Sequence, residues 1–298
     1  MINELRGVAL DKLSQMELHD GEIIGVGSEG CVHDCIRKFR QLLSISEKEY
    51  FKKISFRIIT SRVPEKCMTP ILNMLSEIVK KVQVDSIVIN DYGLLYCLKS
   101  NHLVANNLIL GRTLIRTLAD VPWHNLFVEA ESLDTRESMM QANIMHLEKI
   151  ELFKKYKIRG VELSPVDVNE KIIYSLQKIG IQCYVHYDNQ IATIGRTCPR
   201  LRIIKSKAKG CTIDCDQAIQ LEFFEPYGLS KLDFEKANIY PLMYNINNVI
   251  YHRGNVYDKF EYQRSDGIIF DYRLNGVQEI EEKRRTFINQ LKGEATYG

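Results

Sequence analysis

Short β-branched runs alternate with helix-period segments along most of the chain, and this alternation restricts the fold more than any other feature. EIIGVG (22–27) reads as a buried strand, followed by a helical stretch from about Cys35 to Lys53. SFRIITSRV (55–63) is strand-like, and the next segment, CMTPILNMLSEIVKKV, carries an apolar stripe at helical spacing. DSIVIND (85–91), the helix YGLLYCLKS and the strand HLVANNLIL (102–110) continue the rhythm. It loosens around DVPWHNLFVEAESLD and resumes with a strongly periodic helix over 138–156. RGVELSP then reads as a strand, VNEKIIYSLQKIG as a helix and IQCYVHYD as a strand. A segment at about 189–262 breaks the pattern, after which SDGIIFDYR (265–273) and VQEIEEKRRTFINQLKG supply a last strand and a closing helix. Strands separated by helices predict βαβ units and a parallel sheet. Seven or eight such units predict an α/β fold of the (β/α)8 TIM-barrel type, distorted, with a late insertion, over a single domain 1–298. A doubly wound sheet is the alternative.

Charge selects no partner, because 40 basic against 38 acidic residues give a formal net charge of +2. The N-terminal MINELRGVALDKLSQMELHDGE interleaves charged and apolar residues without the apolar core of a signal peptide. No apolar run approaches the ~20 residues that a spanning helix needs. These features point to a cytoplasmic protein, whose thiols stay reduced. In that compartment, clustered cysteines turn attention to metal ligation or catalysis rather than to disulfides.

Three of the 8 cysteines fall in CPRLRIIKSKAKGCTIDC (198–215). Between Cys198 and Cys211 lie Arg200, Arg202, Lys205, Lys207 and Lys209 and no acid. Basic neighbours favour the thiolate that binds metal and offset the charge of a thiolate-ligated group; a solvated loop is the plain alternative. CVHDC (31–35) and CTIDC (211–215) repeat one spacing, and together they suit a four-thiolate zinc site that leaves Cys198 without a role. GVGSEG (25–30) fits a dinucleotide fingerprint, yet no acid ends SFRIITSRV to hold a ribose hydroxyl, so a tight loop ending at Cys31 is the better account. A Cys–His nucleophile pair with His186 or His33 as base is a further alternative, although three close cysteines are redundant for one nucleophile. Asp91, Glu162, Asp188 and Asp271 stand near the C-terminal ends of predicted strands, where barrel active sites are built. They serve there either as acids and bases or as helix caps. Cys67, Cys97 and Cys183 fall at apolar positions and read as core.

The spacing Cys198-x12-Cys211-x3-Cys215 resembles the cysteine pattern of the peptidase U32 (collagenase-like) family. It is most similar to the UbiV-type members that act with a UbiU-type partner in oxygen-independent, anaerobic ubiquinone hydroxylation. GSEGC places Cys31 where that family has its N-terminal cysteine, and Cys35 is an extra. DSIVINDYGLL resembles the family's strand followed by N-D-x-G-x-L. RGVELSPVDVNEKI resembles its V-x-L-S-P-E-L-S segment, with Val166 and Asp167 in place of Glu and Leu. QCYVHYDNQIATIGRTC resembles its approach to the first clustered cysteine, with Tyr187 or Asp188 replacing a glycine, and IFDYRLNGVQEI its closing strand and helix. The resemblance runs from about residue 22 to 292. It implies a barrel with a 4Fe–4S cluster on Cys31, Cys198, Cys211 and Cys215 near the mouth. It further implies a component of a hydroxylation system for an aromatic or quinone-like substrate, paired with a paralogous U32-type partner. Hydroxylation of tRNA bases, peptidase activity and a structural zinc or Fe–S module are the competing functions. The chain has no H-E-x-x-H motif to support the peptidase.

Overall fold

A computed structural model of the chain describes residues 2–16, 18, 19, 21–100, 107–120, 131–165, 170–187, 189–203, 211, 215–221, 243–252, 264–274, 281, 282, 284–286 and 289. In chain order its strands are β1 (Ile2–Arg6), β2 (Glu22–Gly27), β3 (Ser55–Ile59), β4 (Gln83–Ile89), β5 (Leu108–Leu110), β6 (Ile158–Leu163), β7 (Gln182–His186), β8 (Gln190–Ile194), β9 (Ile219–Leu221), β10 (Met243–Ile246), β11 (Val249–His252) and β12 (Gly267–Asp271). Eight of them close into a parallel barrel in the order β1-β12-β7-β6-β5-β4-β3-β2. The remaining four form an antiparallel sheet in the order β8-β11-β10-β9. This is the α/β, TIM-barrel-like fold that the alternation predicts.

Parallel strands buried on both faces read as nearly continuous apolar runs. Here Ile24, Val26, Phe56, Ile58, Ile87, Ile89, Val161, Leu163, Ile268 and Phe270 face outward into one large apolar cluster. The covering helices α1 (Val32–Ile45), α2 (Glu65–Lys81) and α3 (Tyr92–Ser100) meet them with Phe39, Leu42, Ile71, Leu75, Ile78, Leu94 and Leu98. The alternate residues point inward, where Ile59, Val88, Ile109, Tyr184 and Ile269 make a small separate cluster. The rest of the described interior is mostly polar or charged, with Glu4, Arg6, Arg57, Ser86, Glu162 and His186.

The sequence pattern departs from the structure at several places; the helix expected from about Cys35 to Lys53 ends at Ile45, and a separate 3-10 turn covers Glu49–Lys53. β1 is absent from the strand reading because INELR places Glu4 and Arg6 on its inward face, which breaks the apolar run. The single helix expected over 138–156 is broken. α4 (Leu133–Met140) ends before a 3-10 turn at Asn143–Met145, and α5 (Leu147–Tyr156) follows. Asn143 exchanges two bonds with Arg116, N–H to carbonyl at 3.0 Å and Arg116 N–H to Oδ1 at 3.2 Å, which hold the chain out of the helix. The late insertion carries the antiparallel sheet, with residues 204–210, 212–214, 222–242 and 253–263 outside the described set. Two further α-helices are α6 (Glu170–Lys178) and α7 (Pro199–Ile203). Most of the expected closing helix, and the segments 101–106 and 121–130, lie outside the described residues. No helix of the described residues is long and apolar enough to cross a membrane.

One glycine aims the chain toward the site. Gly27 has φ +131°, and a side chain there would run into the carbonyl of Ile59. The next residue, Ser28, donates its N–H to that carbonyl at 3.2 Å. β2 therefore leaves the barrel close against β3 and delivers Ser28 to Cys31 over the barrel mouth.

Candidate functional site

Side chains from the C-terminal strand ends form a buried ionic network, in the position where barrel enzymes build their sites. Arg6 ends β1 and bridges Glu4 and Glu162, with Glu29 at 4.0 Å. Burial alone would lower the pKa of Arg6, but Glu162 and Glu4 outweigh it and raise it well above the usual value. Arg112, just after β5, grips Glu29 with two bonds of 2.8 and 3.0 Å and binds Asn189 with a third nitrogen. Burial opposes the charge on Glu29, yet Arg112 holds its carboxyl far below the usual carboxylate range. Tyr251 from β11 donates its hydroxyl to the same carboxylate at 2.6 Å, fastening the antiparallel sheet to the barrel. One layer down, Arg57 reaches Glu4 and Asp85, each at 3.0 Å, and lies over the ring of Tyr184. Asp271 is buried and paired with Arg273.

Glu29, Glu162 and His186 bring ligand-type atoms within 4.8 Å of one another. Each carboxylate oxygen of that trio already accepts a guanidinium hydrogen bond, from Arg112 on Glu29 and from Arg6 on Glu162. A cation would have to displace a buried arginine, and stranding that charge costs several kcal/mol. The geometry thus favours a closed ion-pair network over a metal site. His186 is its neutral member, since burial first and then Arg112 and Arg6 hold its pKa well below the ordinary value. Its Nε2 lies 3.3 Å from Glu162, and its Nδ1 has no hydrogen-bond partner among the described residues.

This gives a pH dependence with a definite sign. The unfolded chain protonates this imidazole below about pH 6.5, whereas the folded one does not. Stability is therefore full above that pH and falls as pH drops below it, by at most about 1.4 kcal/mol per unit from this one group. Urea unfolding from pH 7 to 5 should show a wild-type slope steeper than that of His186→Gln by up to this amount. Parallel curves would mean that His186 charges freely in the folded protein.

Beside the network, a cavity of about 600 Å³ is lined by Cys31, Cys198, Cys211 and Cys215, together with His33, Asp34, Arg37, Arg40 and Asn247. Four stretches of chain meet there: the loop from β2 into α1 with the start of α1, the turn before α7, the segment leading toward β9, and the β10–β11 turn. Cys215 is buried, Cys31 and Cys198 are half-buried, and Cys211 is exposed. Burial raises the Cys31 thiol pKa. Its sulfur makes no geometric cap bond to α1, but the adjacent N–H groups of His33 and Asp34 favour its thiolate. Cys215 is pushed up to about 12 by burial, then by Asp34, and also by the nearby Cys198 and Cys31. Arg37 ties Asp34 at 2.7 Å to Asp216 at 2.8 Å across the cavity wall.

Cys35 is elsewhere. Its thiol is fully buried in the core and donates to the carbonyl of Ile59 at 3.5 Å, away from the cavity. The two C-x3-C pairs therefore do not meet as a four-thiolate set, because only Cys31 of the first pair reaches the cavity. Cys67 and Cys183 are buried in the core and Cys97 is half-buried. Gly30 lies against Val249 and Asn248, so the β10–β11 turn fills the space that a pyrophosphate would need over the glycine loop. His33 lines the cysteine cavity, whereas His186 belongs to the ionic network. Asp91 caps α3, accepting the N–H of Leu94 at 2.9 Å. Asp188 and the three lysines Lys205, Lys207 and Lys209 lie outside the described residues. Sequence reading passes over Asn247, Asp216 and Glu29. The run NINNVIY, an Asn-Asn pair between apolar residues, is the hairpin signal that marks Asn247.

No family model matches the sequence, and no curated protein matches it. Among solved structures, this chain is similar to one described as the structure of the U32 peptidase Mk0906. The two are 12% identical over 91% of this chain and 92% of that chain, with a TM-score of 0.46.

Proposed function

We propose that this is a U32-type barrel protein that holds a 4Fe–4S cluster on Cys31, Cys198, Cys211 and Cys215. In this reading it serves an oxygen-independent hydroxylation of an aromatic or quinone-like substrate, beside a paralogous partner of the same type. The observation that carries the reading is the convergence of these four cysteines on one cavity, while Cys35, one helical turn from Cys31, is turned away. The donor set is four thiols, the ligand type that iron–sulfur clusters take.

A bound cluster supplies redox or substrate-activating chemistry that side chains lack. The chain's own residues prepare the place. The N–H groups at the start of α1 partly offset the burial that raises the Cys31 thiol, and Arg37 on the wall neutralises the carboxylates of Asp34 and Asp216. The specific hydroxylation role follows from the sequence resemblance to the UbiV-type proteins. Anaerobic purification followed by iron, sulfide and zinc analysis tests the assignment. About four iron and four sulfide per chain are expected of a brown protein. A colourless protein with stoichiometric zinc would overturn it.

A further inference from the structure

Asn247 is 1% exposed and sits in the left-handed region, φ 51°, in the tight turn joining β10 to β11. From that turn it touches two cysteine-bearing segments that are remote in sequence. Its backbone carbonyl accepts the Cys198 thiol at 3.3 Å. Its carboxamide nitrogen donates to Ser28 Oγ at 3.1 Å and to Asp34 Oδ2 at 3.4 Å. Ser28 Oγ in turn accepts the backbone N–H of Cys31 at 3.4 Å.

The carboxamide is itself oriented. Its Oδ1 accepts the N–H of Asn248 at 2.7 Å, which leaves the nitrogen facing Ser28 and Asp34. Asn245 braces the same turn by donating to the carbonyls of Asn247 and Val249, each at 3.0 Å. Asparagine suits the place on two counts, since it tolerates the left-handed backbone and carries a donor of the required reach. The Cys198 contact needs a thiol proton, which thiolate ligation removes. The two carboxamide bonds are independent of that proton.

We infer that Asn247 is a positioning residue that holds the Cys31 loop against the β10–β11 turn through Ser28 and Asp34, and so sets where Cys31 meets the group that the cysteines hold. The inference rests on the cluster reading for what that group is, but the positioning is measurable without it. Asn247→Gly keeps the left-handed backbone free of strain and removes the carboxamide. Asn247→Asp keeps the shape and sets a second carboxylate against Asp34. In metal-free protein at fixed pH, peptide mass spectrometry follows alkylation of Cys31, with the buried Cys35 as internal control. Asn247→Gly should raise the Cys31 rate roughly fivefold, the effect of losing about one net hydrogen bond, and leave Cys35 protected, whereas the added carboxylate of Asn247→Asp, which disfavours the reacting thiolate, should lower the Cys31 rate. In loaded protein, both should also shift the reduction potential.

An unchanged Cys31 rate in Asn247→Gly, with Cys35 still protected, overturns the inference. If Cys35 also becomes reactive, the fold has loosened, and Ser28→Ala decides instead: a rise confined to Cys31 supports the inference and no rise overturns it. The two readings fail separately. Absence of iron with a responsive Cys31 removes the cluster and keeps the positioning role, whereas full iron with an unresponsive Cys31 does the reverse.

Discussion

Replacing Arg6 with methionine should lower stability by about 3–5 kcal/mol, read as a fall in the urea midpoint at pH 7. Arg6 is 2% exposed and joins Glu4 and Glu162 inside the barrel. Without it Glu4 keeps Arg57, but among the described residues Glu162 keeps only the neutral His186 as a hydrogen-bond partner. A carboxylate stranded at 0% exposure must take up a proton or admit water, and either is costly in a low-dielectric interior. Domains of this kind are stable by only about 5–15 kcal/mol, so one substitution removes a large share. The double variant Arg6→Met, Glu162→Gln should recover part of the loss, because the stranded charge is gone. A single variant within about 1 kcal/mol of wild type would mean that the network contributes little, as surface ion pairs do.

The second large effect separates two cysteines one helical turn apart. Cys31→Ser should lose most of its iron after anaerobic loading while unfolding close to the wild-type midpoint. Cys35→Ser should load fully yet lose about 1–2 kcal/mol of stability, since a hydroxyl replaces a thiol in an apolar site. The reason is geometric. Cys31 lines the cavity, whereas Cys35 is packed against β3 with its thiol on the Ile59 carbonyl. Iron per chain and urea midpoint, measured side by side for both variants, give the answer. Iron lost from Cys35→Ser and kept by Cys31→Ser would reverse the ligand assignment.

Much of the barrel is legible in the linear pattern because its outward faces are apolar. The strands holding Ile24, Ile58, Ile87, Val161, Val185 and Ile268 announce themselves for that reason. β1 is silent because its inward residues are Glu4 and Arg6, and a sequence pattern cannot know that a charge will find its partner across a barrel. The same limit hides the network as a whole. Arg6 meets Glu162, and Glu29 meets Arg112, across separations that no local signature spans. The broken helix near Gln141 has a related cause, since the bonds between Asn143 and Arg116 are tertiary and override helical periodicity.

For the cysteines, sequence alone determined which residues are soft ligands, that three are clustered, and that Cys198, Cys211 and Cys215 have a spacing similar to that of a known family. It left Cys31 and Cys35 equivalent by spacing, because residues four apart share a helix face in any isolated helix. The family resemblance of GSEGC singles out Cys31 and leaves Cys35 as an extra; the tertiary structure supplies the physical difference. α1 begins at Val32, so Cys31 stands just outside it over the cavity, while Cys35 lies inside it on the face turned to the barrel. The left-handed turn at Asn247 then brings the antiparallel sheet against the loop from Ser28 to Cys31. A chain can carry its ligands in its composition, but their convergence depends on which face of each element the packed core leaves free.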